Sequence, residues 1–370
     1  MTLRRCTDGA PGPGGLPRRE FVRRAAALGL GAGPLQALLA ACDDDGTDRG
    51  VPEQLEGELA IYNWSDYIAE DTVAGFEREF GVRVTYDTYE SNEDLLAKLQ
   101  AGARGYDLIV PSDYTVRVLR ALDLLAPIDR RWLPNWGNLA AAFLDRPFDP
   151  GNRHTLPYLW GVAGLAFRRD LVPAPPESWG VFHDPSLRGK LTQLDDMREV
   201  IGAWLLYRGY PVNSRDPAEL ARAKADALAA KPNLKSYISA PVKTQLIAGD
   251  VWIAHLWNGD TTQARMENPA IDFVVPREGG VMYLDSLAIP RSAPHKRAAH
   301  EFMNYVLRPE VGAAIAERTG YGSPNRESLT LQPDPVLPPA EGALDRYQYL
   351  EDLGEATELW DRIWTEIKAG

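Results

Sequence analysis

Between residues 58 and 122 short apolar runs alternate with amphipathic ones, and this alternation limits the fold more than any other feature. Strand-like runs at 58–62, 82–88 and 106–111 are each followed by a helix-like run, at 70–80, 91–102 and 114–122. Strands alternating with helices predict a parallel α/β sheet. In open sheets of this kind ligands bind beyond the carboxyl ends of the strands. Two loops fall at that edge. Residues 63–71 carry Trp64, Ser65, Asp66 and Tyr67, and the second loop reads Pro111-Ser112-Asp113-Tyr114. A plain connection does not need aromatics, hydroxyls and acids together. A pocket for an organic cation does.

At 370 residues the chain exceeds one typical core, which predicts two compact lobes. A Pro-, Trp- and Asn-rich stretch at 124–155 leads into Leu156-Pro157-Tyr158-Leu159-Trp160-Gly161, an extended segment that suits a crossover between lobes. From 163 a second set of elements begins. Strands are predicted at 164–168, 251–257, 271–275 and 281–289. Helices are predicted near 195–208, 216–230, 241–248, 293–306, 308–318 and 355–368. The last has Leu359, Trp360, Ile363, Trp364 and Ile367 on one stripe.

The first 41 residues stand apart. Arg18-Arg19-Glu20-Phe21-Val22-Arg23 is a twin-arginine pattern, followed by a Gly/Ala-rich apolar stretch too short to span a bilayer comfortably. Leu39-Ala40-Ala41-Cys42 resembles a bacterial lipobox, so Cys42 is expected to be the lipid-modified first residue of an exported chain. Residues 42–56 are polar and acidic and are expected to form its tether. The first 41 residues hold six arginines and two acids, which leaves 34 basic and 50 acidic residues, a net charge of −16. That balance disfavours nucleic acid and anionic membrane surfaces as ligands. Cys6 and Cys42 are the only cysteines, so no disulfide or thiolate chemistry is expected in the folded part. Its apolar runs are too short to predict a transmembrane helix.

The sequence has no Gly-rich phosphate loop and no Gly-x-Ser-x-Gly elbow. The five histidines show no metal-ligand spacing, and His255, inside an apolar run, reads as a core residue. No cofactor, metal or catalytic group is expected. Instead, acids and aromatics or polar helix starts meet in four places. These are Trp64-Ser65-Asp66-Tyr67, Asp195-Asp196-Met197-Arg198-Glu199, Trp257-Asn258-Gly259-Asp260 and Tyr283-Leu284-Asp285-Ser286. Spacing puts Asp196 and Glu199 on one helix face, and Tyr283 and Asp285 on one side of a strand. Asp195 has an ordinary reading as a helix-start acid, and Asp260 could cap a turn. Asp285, flanked by Val281, Leu287 and Ile289, is costly to bury without a cationic partner. An alkyl polyamine answers all four places. Rings can sandwich its methylenes and attract its ammoniums, at roughly 0.5–2 kcal/mol each. Carboxylates accept charge-assisted hydrogen bonds from those ammoniums.

The residues from about 57 to 370 resemble the spermidine/putrescine-binding proteins of bacterial ABC transporters. The motifs that carry the resemblance occur in order: Tyr62-Asn63-Trp64-Ser65-Asp66-Tyr67, Tyr89-Glu90-Ser91-Asn92-Glu93, Tyr106-Asp107-Leu108-Ile109-Val110-Pro111-Ser112, Pro157-Tyr158-Leu159-Trp160-Gly161, Arg198-Glu199-Val200, Trp257-Asn258-Gly259, Asp285-Ser286-Leu287-Ala288-Ile289-Pro290, Leu307-Arg308-Pro309-Glu310-Val311 and Gly320-Tyr321. The resemblance implies an α/β, two-lobe periplasmic-binding-protein fold, each lobe a central sheet flanked by helices, with chain crossovers at a hinge. We expect lobe 1 to be 57–162 plus 285–329, and lobe 2 to be 163–284 plus 330–370. It implies walls from Trp64, Tyr67, Tyr114, Trp257, Tyr283 and Tyr321, and polar contacts from Ser65 and Ser112. Acidic contacts are implied for Asp66, Asp196, Glu199, Asp260 and Asp285. Tyr283 stands where spermidine-type members have Trp, and a family glutamine falls at Leu350, with Gln348 nearby. Asp196 with Glu199 is the spermidine-type arrangement, whereas Asp260 is the putrescine type.

The expectation is therefore an exported, lipid-anchored, monomeric subunit that hands a polyamine to a membrane permease and catalyses nothing. A receptor for another organic cation or a cationic amino acid is the nearest alternative, and it would need a buried Arg for the α-carboxylate. A secreted hydrolase using Asp196 and Glu199 is more remote, because a glycosidase needs its two acids on opposite sides of the sugar. A sensor that docks on a membrane receptor would share the ligand site.

Overall fold

The computed structural model describes residues 50–89, 91–102, 105–239, 241–333, 335–336 and 346–370. The twin-arginine segment, Cys42 and most of the expected tether lie outside them. The strands are β1 (Glu58–Trp64), β2 (Arg83–Tyr89), β3 (Leu108–Ile109), β4 (Thr155–Arg168), β5 (Leu191–Gln193), β6 (Leu234–Tyr237), β7 (Ile253–Trp257), β8 (Ile271–Val274), β9 (Gly280–Ala288) and β10 (Tyr347–Tyr349). The α-helices are α1 (Glu70–Phe80), α2 (Asn92–Gln100), α3 (Asp113–Ala121), α4 (Met197–Tyr207), α5 (Pro217–Ala230), α6 (Val242–Ala248), α7 (Asn258–Glu267), α8 (Lys296–Val306), α9 (Pro309–Thr319), α10 (Arg326–Leu329) and α11 (Thr357–Ala369).

The strand order is β2-β1-β3-β9-β4-β7-β5-β6, with β10 on β9 and β8 on β4. β1 is parallel to β2 and β3, as the alternation predicts, and β7–β5–β6 form a second parallel set. The antiparallel strands β4 and β9 lie between the two sets. Alternate residues feed opposite faces. Leu59, Ile61 and Leu108 enter a core with Phe76, Phe302 and Ile315, whereas Tyr62 and Ile109 enter one with Leu95, Val116 and Leu119. In the other lobe Leu165 and Phe167 meet Trp204, Trp360 and Ile363 on one face, and Ala166 meets Leu246 and Ile271 on the other.

The sequence reading separates a crossover at 156–161 from a strand at 164–168. The structure makes them one strand, β4, buried along its 14 residues. It pairs with β9 through Val162 and with β7 and β8 from Ala163 onward. Gly161 interrupts the apolar pattern but not the strand. A side chain there would collide with the Tyr283 hydroxyl and with Asn258 Oδ1. The expected lobe sheets are thus joined edge to edge through two shared strands. No helix among the described residues is long and apolar enough to cross a membrane.

Candidate functional site

The loop after β1 is shaped by Asn63. Its Oδ1 accepts from the Trp64 N–H (2.8 Å), and its Nδ2 donates to the Tyr86 hydroxyl (2.8 Å). Trp64, half-buried, donates through Nε1 to the Val110 carbonyl (2.9 Å) and packs on Tyr89. Ser65 is half-buried. Asp66 takes a positive φ of 55° and stays exposed. That turn buries Tyr67, whose hydroxyl donates to Asp285 Oδ2 at 2.6 Å.

Asp285 lies in β9, bridged to Ser112 and paired with Leu159. It is 4% exposed, and among the described residues its Oδ1 has no hydrogen-bond partner. Burial pushes its carboxyl up to about 6, against the pull of the Ser112 and Tyr67 hydroxyls. Ser112 is the N-cap residue of α3, and its hydroxyl, instead of capping the helix, accepts from Asn92 Nδ2 (3.0 Å). The next residue, Asp113, is buried with Oδ2 unpartnered, and burial lifts it to about 8. The sequence reading gave Asp113 no role, although its place beside Ser112 was a usable signal. Tyr114 hydrogen-bonds Asn92 and Glu93 and lies under the Arg198 guanidinium (5.5 Å).

On the other lobe Asp196 is the N-cap of α4, its Oδ1 accepting from the N–H groups of Arg198 (2.8 Å) and Glu199 (3.0 Å). The cap is therefore Asp196, whereas Asp195 is exposed and pairs with Lys368. Asp196 immediately precedes the helix that carries Glu199 and caps the Glu199 N–H, so the two acids are neighbours at the start of α4. Glu199 is 4% exposed; Oε1 accepts from Trp257 Nε1 (3.2 Å), while among the described residues Oε2 has no hydrogen-bond partner. Burial first and then Asp196 hold its carboxyl well above the usual range. His255 Nε2 stands 3.8 Å from Glu199 Oε2, but burial pulls this histidine down to about 3, so it stays neutral. Arg198 is committed to the Glu351 carbonyl and Asn213, between the Tyr114 and Trp360 rings.

Aromatic residues separate these acids. Tyr321 meets Tyr67 edge-on (centroids 5.0 Å apart) and Tyr283 (6.2 Å), and Trp257 packs against cores of both lobes. Gln348 Oε1 accepts from the Val212 N–H, and Leu350 is buried in the second lobe. Tyr321 lies flat on Gly259, where a Cβ would collide with three ring atoms. Gly259→Ala is therefore expected to displace that ring and lower stability by about 1–3 kcal/mol, read by denaturant titration.

Asp66 and Asp260, each expected as an acidic contact, are brought together around a residue the sequence reading passed over. Lys243 Nζ lies 3.2 Å from Asp66 Oδ2, 3.1 Å from Asp260 Oδ1 and 2.8 Å from Gln263 Oε1. A lysine in the first turn of a helix opposes the helix dipole, which was the available signal. Among the described residues no His, Cys, Asp or Glu cluster could hold a metal. In a groove of about 510 Å³ the polar groups are already engaged: Glu58 pairs with Arg83, Asp87 accepts from the Tyr106 hydroxyl, Lys98 lies over the Tyr62 ring and His295 meets Asp107.

The model of the bacterial extracellular solute-binding protein family matches residues 71–339. The chain belongs to that family. It is 35% identical over 350 residues to the spermidine/putrescine-binding periplasmic protein of Escherichia coli K12, covering 93% of this chain and 97% of that one. It is 33% identical over 330 residues to the putrescine/cadaverine-binding protein of Pseudomonas aeruginosa PAO1, covering 84% and 93%. Among solved structures, a spermidine/putrescine ABC transporter chain from Listeria monocytogenes superposes with a TM-score of 0.81 at 31% identity, over 85% of this chain and 99% of that one. The TpPotD lipoprotein of Treponema pallidum gives 0.79 at 33% identity, over 85% and 100%. The two-lobe periplasmic-binding-protein fold is thus the fold of this solute-binding protein.

Proposed function

We propose that this solute-binding protein is the extracytoplasmic polyamine-binding subunit of an ABC importer. It captures spermidine and/or putrescine between its lobes and delivers it to a membrane permease. One observation carries the reading. Among the described residues Asp285 Oδ1 and Glu199 Oε2 are buried carboxylate oxygens without hydrogen-bond partners, one on each expected lobe; ring contacts run from Asp285 through Tyr67 and Tyr321 to Tyr283, and Trp257 meets Glu199. Leaving such acceptors unsatisfied costs free energy that a ligand ammonium at each end would offset. Trp64, Tyr67, Tyr114, Trp257, Tyr283 and Tyr321 suit the methylenes, and Ser65, Ser112 and Asp196 the polar margins. The names of the relatives support the ligand class.

The expected lobe boundaries at 162/163 and 284/285 fall within β4 and β9, where bending of two strands would open the cleft. The chain binds and releases its ligand unchanged and is no enzyme. It works as a monomer, exported by its twin-arginine segment and held at the membrane through Cys42. Arg198 is buried, as an α-carboxylate partner would be, but two of its nitrogens are already engaged. That favours polyamines over cationic amino acids. Calorimetric titration with putrescine, spermidine and ornithine tests the reading. Binding of either polyamine with no response to ornithine is expected, and silence toward both polyamines sinks it.

A further inference from the structure

Lys243 occupies an ammonium site that is already complete. An ammonium has three N–H donors, and three acceptors surround this one: Asp66 Oδ2, Asp260 Oδ1 and Gln263 Oε1. The acceptors come from both lobes. Asp66 is on the loop after β1, and the other two are on α7. The lysine side chain is 20% exposed, and the Asp260 side chain 18%. Burial works against its charge, but the facing carboxylates outweigh it and keep the ammonium protonated. The site adjoins the aromatic row, because Tyr321 interacts with Asp260 as well as with Tyr283 and Asp285. The carboxylates on that row therefore differ in state. Asp285 and Glu199 keep unpartnered oxygens, whereas Asp66 and Asp260 already hold a cation.

We infer that Lys243 is a built-in ammonium that closes one end of the binding row, so that the cleft accepts a diamine in preference to a longer triamine. The inference rests on the polyamine reading of the site. A diamine has two ammoniums to place, and Asp285 and Glu199 supply two open acceptors. Asp113 Oδ2 is also unpartnered among the described residues, but Asp113 faces Asp285, at a point of the row that is already supplied, so a third amine placed elsewhere would have to displace Lys243 or remain desolvated without a carboxylate, which is unfavourable. A lysine that merely latched the lobes would affect all ligands alike, whereas an end plug acts on ligand length.

Titrations of the native protein and of Lys243→Gln with putrescine and spermidine separate these cases. The native chain is expected to bind putrescine about tenfold or more tightly than spermidine. Lys243→Gln frees the Asp66 and Asp260 oxygens and should shift that ratio toward spermidine by about tenfold or more. Equal or tighter binding of spermidine by the native chain overturns the inference. So does a variant whose ratio stays within about threefold of the native one, even if both affinities fall. If Lys243→Gln fails to fold, the native ratio decides. A native chain that binds neither amine overturns the functional reading itself, and this inference with it.

Discussion

Replacing Asp285 by asparagine raises the melting temperature of the ligand-free protein and, in the same variant, weakens polyamine binding about a hundredfold or more. The two effects have one origin. The carboxyl is held at about 6 in the fold, against a reference of 3.8, because burial disfavours its charge. A shift of roughly two units corresponds to about 3 kcal/mol at neutral pH. Asparagine keeps the shape and the acceptor for Tyr67 but carries no charge to bury. The ligand ammonium loses its counter-ion, and breaking a buried ion pair by removing one partner costs about 3–5 kcal/mol. Differential scanning calorimetry and amine titration read the two effects separately. A lower melting temperature, or an affinity within about threefold of native, would show that Asp285 is a structural acid.

Polyamine binding weakens about tenfold between roughly pH 7 and pH 5 through Asp285 alone. With a carboxyl at about 6, the native site is mostly ionised at the upper pH and mostly protonated at the lower, and an ammonium binds the ionised form. Glu199, which burial and Asp196 hold well above the usual carboxylate range, adds to the dependence in the same direction. The ligand-free fold responds in the opposite sense. A group whose folded pKa is raised contributes stability that is fully present below its unfolded value, here 3.8, and is lost as pH rises through about 6. Acidification therefore strengthens this contribution to stability while it releases the ligand. Titrations across that range should show both trends, and Asp285→Asn should flatten the affinity curve. An affinity that rises on acidification would overturn the assignment.

The difference between what the sequence showed and what it hid follows from separation along the chain. Asp285 was legible because its cost is local, an acid between apolar neighbours in a strand. The β1–α1 and β3–α3 loops were legible because alternation fixes the edge on which they fall. β4 was misread because Gly161 looks like a break until Tyr283, more than a hundred residues later, is seen against it. Lys243 was hidden for the same reason. Its helix reads as an ordinary surface element, and Asp66 lies 177 residues away. Asp196 looked like Glu199 in sequence, yet position alone separates them, since one closes the start of a helix and the other points from its first turn.

The β3–β9 pairing has a consequence for biosynthesis. Ile109 pairs with Tyr62 on one side, but its partner on the other side is Ala288. The sheet begun by the first sixty described residues therefore lacks an inner neighbour until nearly four-fifths of the polypeptide has left the ribosome. Until then β3 presents an open edge, the kind of surface that invites pairing with other chains. A nascent chain stalled before residue 288 leaves that edge uncovered, so its exposure lasts for most of the synthesis.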